Sequence, residues 1–154
     1  MSMELTTHPP VQGQLPLWES GAETMTPATR TRPAAAPRIC PNPGCGYRAK
    51  GVSARGRLRE DLQVVWLVPD PAGSEAAVER RYCHRCCPRP PHHQIADVEC
   101  AACDCGGPLL VDALAAALIT EGIMPDAVRR WLEDHGWREQ GTGALVCPDH
   151  LSTQ

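Results

Sequence analysis

Six of the chain's nine cysteines fall in one stretch, Tyr82 to Cys105, which reads YCHRCCPRPPHHQIADVECAACDC. Within it, Cys83/Cys86 and Cys100/Cys103 each have the spacing that lets one tight turn aim both sulfurs at a single ion. Neither pair fills a tetrahedron by itself. Two further pairs lie outside the stretch, Cys40/Cys45 upstream and Cys147/His150 downstream. The stretch therefore closes one candidate metal site and opens a second.

A staple of this kind suits the rest of the chain. Sixteen Pro and thirteen Gly interrupt 154 residues that contain no Phe. Little continuous apolar sequence remains for a large core, and small units of this sort need reinforcement. Disulfides are the competing reading. The odd cysteine count, the CxxC pairs and a start without a signal peptide favour zinc in a cytoplasmic protein. No run of 18 apolar residues predicts a membrane span. The expected fold is small α+β and metal-stabilised. A disordered arm over 1–38 precedes two zinc-ribbon-like units, 39–94 and 95–154, the second with a two-helix insertion. Two zinc ions are implied.

The arm is rich in Pro, Thr and Ala and has no apolar periodicity, the mark of a segment that builds no core. One cluster breaks the pattern, Gln14-Leu15-Pro16-Leu17-Trp18. It resembles the QLxLF/QLxLW peptide by which bacterial polymerases and repair proteins dock on the DNA sliding clamp. The resemblance implies that Leu15, Leu17 and Trp18 are apolar anchors and Gln14 the polar one, with a bacterial sliding clamp as partner. Pro16 restricts the free chain and so lowers the ordering cost of docking. Trp replaces the commoner Phe here, and the match spans five residues.

In the first unit, Cys40-Pro-Asn-Pro-Gly-Cys45-Gly reads as a knuckle in which Gly44 and Gly46 permit the sharp turn. Leu62 to Val68 reads as a strand, Pro69 to Ser74 as a turn and Ala77 to Tyr82 as the returning strand, which delivers Cys83-His-Arg-Cys86. Knuckle, hairpin, knuckle is the plan of a zinc ribbon. Four thiolates from Cys40, Cys45, Cys83 and Cys86 make a closed structural shell, which contributes on the order of 10 kcal/mol to folding. Cys87 competes with Cys86 as ligand, and His84, His92 and His93 are further candidates.

Charge is unevenly spread. Arg30 to Asp61 holds eight basic and two acidic residues, whereas Ala96 to Gln154 holds three basic and ten acidic. Arg48, Lys50, Arg55, Arg57 and Arg59 form a basic run suited to DNA or RNA phosphates, extended by Arg80, Arg81, Arg85 and Arg89. Trp66 and Tyr82 are of the type that stacks on bases, or else they fill the hairpin.

The second unit opens with Cys100/Cys103 and closes with Cys147/His150, a Cys3His set, with Cys105 an alternative to Cys100. A helix is predicted over 112–121, with Leu110, Leu114, Ala117 and Leu118 on one face and Gly122 stopping it. A second starts at Pro125, buries Ala127, Val128, Trp131 and Leu132, and ends at Gly136. A short hairpin over 137–146, turned at Gly141-Thr142-Gly143, leads to Cys147. Arg129 and Arg130 on the second helix invite a helix-turn-helix reading, but Asp126, Glu133 and Asp134 share that helix and repel phosphate. This layout loosely resembles small zinc-binding proteins carried by actinobacterial phages and mobile elements, which fixes no activity.

No catalytic constellation stands out. The chain lacks the His-x-Glu and Pro-Cys-x-x-Cys of zinc deaminases, a Walker loop and HExxH, and Asn42 is its only Asn. The expected function is a non-enzymatic adaptor that docks on the sliding clamp, for recruitment or for inhibition of clamp clients. The alternative is a zinc-ribbon nucleic-acid-binding protein whose arm motif is incidental.

Overall fold

The structure, a computed structural model, describes residues 35–151. The clamp-type motif at Gln14, Leu15, Leu17 and Trp18, and all of the expected arm before residue 35, lie outside the described residues. Described residues form a small α+β unit: α1 (Gly51–Asp61), β1 (Trp66–Pro69), β2 (Ala77–Arg80), β3 (Ile95–Glu99), β4 (Gly106–Val111), α2 (Ala113–Ala116), α3 (Asp126–Asp134), β5 (Arg138–Glu139), β6 (Leu145–Val146) and α4 (Pro148–Leu151). No helix among them is long and apolar enough to cross a membrane.

Four strands form one sheet in the order β2-β1-β4-β3. The hairpin β1/β2 is antiparallel, with Trp66 opposite Arg80 and Pro69 opposite Ala77. β3 and β4 are also antiparallel, with a register shift between Asp97 and Glu99. The two hairpins join through a parallel pairing of β1 with β4, Trp66 opposite Leu109 and Leu67 opposite Leu110. The sheet thus crosses the 94/95 division expected from the sequence, and Leu67 of the first segment packs in one cluster with Leu110 of the second.

That core follows from strand alternation. In β3, Ala96 and Val98 are buried while Asp97 and Glu99 are exposed. Leu67 and Leu110 are wholly buried, and Leu114, Ala115, Val128, Leu132, Trp137 and Val146 pack with them, together with Cys100 and Cys147. A second, smaller cluster gathers Cys40, Ala49, Leu58 and Cys83, with Ala54 and Leu62 against it.

Several expected elements differ. The basic run before the first strand is a helix, α1, held by the stripe Ala54, Leu58, Leu62 at four-residue spacing. Consequently the first strand starts at Trp66 rather than Leu62, since Leu62 caps the helix. The return strand ends at Arg80. Leu110 belongs to strand β4 and not to a helix face. The helix expected over 112–121 is split into α2 and a π-helical turn, Ala117–Glu121, closed by Gly122 in the left-handed region. α3 begins after Pro125 and buries Val128 and Leu132, with Ala127 and Trp131 half-buried. The final hairpin is short, β5 against β6, with Arg138 opposite Val146.

Candidate metal centres

The first cysteine group is assembled from a knuckle and a hairpin end. Cys40 donates its amide to Tyr47 O at 3.0 Å, and the Cys45 amide reaches Asn42 O at 3.1 Å, which closes the Cys40–Cys45 turn. Gly44 and Gly46 take φ of 80° and 67° there, a region that favours glycine. On the other side the Cys86 amide donates to Cys83 O at 3.1 Å. The ligand atoms of Cys40, Cys45, Cys83 and Cys86 all lie within 4.8 Å of one another. Sulfur separations are 3.6 Å for Cys40–Cys86, 3.6 Å for Cys45–Cys83 and 3.8 Å for Cys83–Cys86. Tetrahedral thiolates at a metal–sulfur distance of about 2.3 Å sit about 3.8 Å apart, whereas a disulfide needs about 2.0 Å. All nine cysteines are free thiols, and this group has the dimensions of a metal shell.

The thiols here are electrostatically unequal. Burial pushes Cys40 above the ordinary thiol value and pushes Cys86 up further. Burial acts on Cys83 too, but hydrogen bonds from the Arg85 and Cys86 amides and from the Cys45 and Cys40 thiols outweigh it and lower that thiol. A divalent cation reverses the penalty on the other sulfurs, because a metal-bound thiol is deprotonated outright.

Adjacent cysteines, ambiguous in sequence, separate in space. Cys87 lies outside the group; its thiol faces His84 O at 3.7 Å and accepts from Arg89 Nε at 3.3 Å. Nor does His84 join the sulfurs. Its Nδ1 is 3.1 Å from Asp61 Oδ2, and its amide donates to the same oxygen at 2.9 Å. His93 instead meets Asp112 at 3.0 Å, and exposed His92 is in neither group.

The second group gathers Cys100, Cys103 and Cys147, all ligand atoms within 4.8 Å, with Cys103–Cys147 at 3.6 Å. Hydrogen bonding between the Ala101 amide and Leu145 O at 2.8 Å lays this loop on the end of β6. The Cys147 amide then donates to Cys100 Sγ at 3.3 Å, and the Ala102 amide at 3.4 Å. Those two bonds, the Cys147 one first, together with hydrogen bonds from Cys103, lower the Cys100 thiol to about 6. Cys103 is raised, chiefly by its side-chain hydrogen bond with Cys105. For Cys147 the His150 amide lowers the thiol, but burial and the neighbouring sulfurs of Cys103 and Cys100 leave it raised. His150, expected as the fourth ligand, is not in the group. It lies in α4 with its amide toward Cys147 O at 3.2 Å.

The basic run has a definite form. Arg48, Lys50, Arg57 and Arg59 are exposed, and among the described residues they form no ion pair. Arg55 is half-buried, with its Nε buried and unpartnered. The extension after the hairpin is partly committed to the fold. Arg81 Nη1 donates to Leu62 O and Gln63 O at 3.1 and 2.8 Å, and Arg89 donates to His84 O. Arg85 lies over the Tyr47 ring, 4.9 Å from its centre. Trp66 is buried against Tyr82, edge to face at 5.7 Å, so it fills the sheet and offers no stacking face. On α3, Arg129 pairs with Glu139 at 3.2 Å. Sequence spacing had no means of finding Asp61, whose role depends on helix α1.

No protein-family model matches the chain, and comparisons with curated proteins and with solved structures give no match.

Proposed function

We propose that this chain is a non-enzymatic, cytoplasmic zinc-ribbon adaptor whose Gln14–Trp18 motif docks on a bacterial sliding clamp while helix α1 lies along nucleic acid. The observation that carries the reading in the described residues is the fastening of a basic helix to a four-cysteine group. Ala54, Leu58 and Leu62 seat α1 on that group, and Lys50, Arg57 and Arg59 stay in solvent beside Arg48. Zinc is the metal that an all-thiolate, tetrahedral donor set selects among common cellular divalent ions. Bound there, it would supply a rigid platform and no chemistry of its own. The clamp half rests on the five-residue motif and its resemblance to clamp-docking peptides.

The two halves are tested side by side. Calorimetry against a bacterial sliding clamp should give micromolar or tighter binding that Leu17→Ala with Trp18→Ala abolishes. No heat at high concentration would make the motif incidental. Fluorescence anisotropy with DNA and RNA oligonucleotides should show affinity falling steeply with salt, with a slope of about −0.7 to −0.9 per phosphate contacted. Replacing Lys50, Arg57 and Arg59 by Gln should flatten that slope. A slope unchanged by these substitutions would remove α1 from the interface.

A further inference from the structure

The second cysteine group raises a question of coordination. Three sulfurs are gathered, and a tetrahedral structural metal takes four protein ligands. Chain spacing offers His150 and Cys105 as further donors; neither is in the group, so either must turn its side chain inward to bind. The neighbourhood of the three sulfurs favours Cys105. Cys100 and Cys103 line a cavity of about 420 Å³, and so does Cys105, together with Asp104 and Glu99; neither Cys147 nor His150 contributes to its wall.

Cys105 is already tied to this shell. Its amide donates to Cys103 Sγ at 3.4 Å, as the Ala102 amide does to Cys100 Sγ at the same distance. The side chain is exposed, in a loop of bends between β3 and β4. Moving a cysteine sulfur between staggered positions takes one bond rotation. His150 lies in α4 and does not line that cavity.

We propose that Cys105, and not His150, is the fourth ligand of the second metal, which makes that site a tetrathiolate closed from the cavity side. The proposal rests on reading the second group as a metal site. It also distinguishes the two ions by access. The first sits against helix α1, and the second is closed by an exposed cysteine that lines a cavity, so it exchanges faster.

The test is cadmium-113 NMR of the full chain loaded with cadmium, whose shift reports how many thiolates bind each ion. Two resonances in the tetrathiolate range are expected. Cys105→Ser should move one of them to the three-thiolate range, and His150→Ala should move neither. A wild-type resonance in the three-thiolate range overturns the proposal. If it then moves in His150→Ala, the imidazole is the ligand; if it does not, water or a carboxylate holds the fourth position. Binding of a single cadmium per chain would overturn the second metal site itself, a distinct outcome. The wild-type spectrum decides the matter even if Cys105→Ser does not fold.

Discussion

The Cys147 amide donates a hydrogen bond to Cys100 Sγ at 3.3 Å, across 47 residues of chain. This bond fastens the end of the last hairpin to the loop after β3, and it is the largest cause of the lowered Cys100 thiol, at about 6. At neutral pH the second group therefore holds one thiolate in waiting, while Cys103 and Cys147 are raised and must shed protons to bind a metal.

A pH dependence follows. A depressed thiol stabilises the metal-free fold fully above its ordinary value of 9.0, and the contribution is lost as pH falls through about 6. For metal binding the same thiol adds one proton to the competition only below about 6. Competition titrations against a chromophoric chelator should show the pH slope of zinc affinity at the second site steepening by about one proton as pH falls through that value. Cys100→Ser should remove the break. A slope that stays constant through this range would show that the amide bond does not depress the thiol.

The parallel pairing of β1 with β4 predicts that the two halves unfold together. Leu67 and Leu110, opposite one another in that pairing, are both wholly buried. Leu67→Ala should cost about 2–5 kcal/mol through lost burial and a cavity. Denaturation of the metal-loaded variant, followed by far-UV circular dichroism and by Trp fluorescence, should give coincident transitions at lower denaturant. Two separated transitions would mean that each cysteine-bearing segment is an independent unit.

Gly107 offers a sharper test of the packing beside the second group. A Cβ placed there would lie 2.5 Å from Val98 O and 3.0 Å from the Trp137 ring. Backbone and an indole must both move, so Gly107→Ala should destabilise by about 1–3 kcal/mol. Gly106→Ala meets nothing within 4 Å and is the matched control. Equal denaturation midpoints for the two variants would rule out this close approach.

How far the chain could be read in advance depended on the range of the interaction. Cysteine spacing is local, and it brought together the pairs Cys40/Cys45 and Cys83/Cys86 of the first group, though only the fold separates Cys86 from Cys87. β3 carried a legible alternation, Ala96 and Val98 against Asp97 and Glu99, yet its significance needed β4. Leu109, Leu110 and Val111 form an apolar run too short to tell strand from helix, and only pairing with β1, distant in the chain, settles it. Helix α1 was hidden by Gly51, Gly56 and five basic residues around a stripe of three apolar ones. Its stability comes from packing on the cysteine group, a tertiary contact that overrides weak intrinsic propensity. The same dependence applies to Cys105, which spacing offers only as an alternative to Cys100: the cavity it lines with Cys100 and Cys103 exists only once β3 and β4 are paired.

Asp61 carries the last prediction. Sitting at the end of α1, its Oδ2 accepts from both the amide and the ring nitrogen of His84, at 2.9 and 3.1 Å. It thereby clamps the helix to the turn that bears Cys83 and Cys86, while the Tyr47 ring meets His84 edge to face at 5.0 Å. Asp61→Ala strands the half-buried His84 amide and should cost about 1–3 kcal/mol by denaturation. It should also speed zinc release from the first site, because the turn that bears Cys83 and Cys86 loses its fastening to α1. Asp61→Asn keeps an acceptor oxygen and should recover part of both effects. The decisive reading is release from the first site alone, followed with a chromophoric chelator in a variant whose second group is disabled by Cys147→Ser. If release there is unchanged in Asp61→Ala, the carboxylate fastens the helix without supporting the metal.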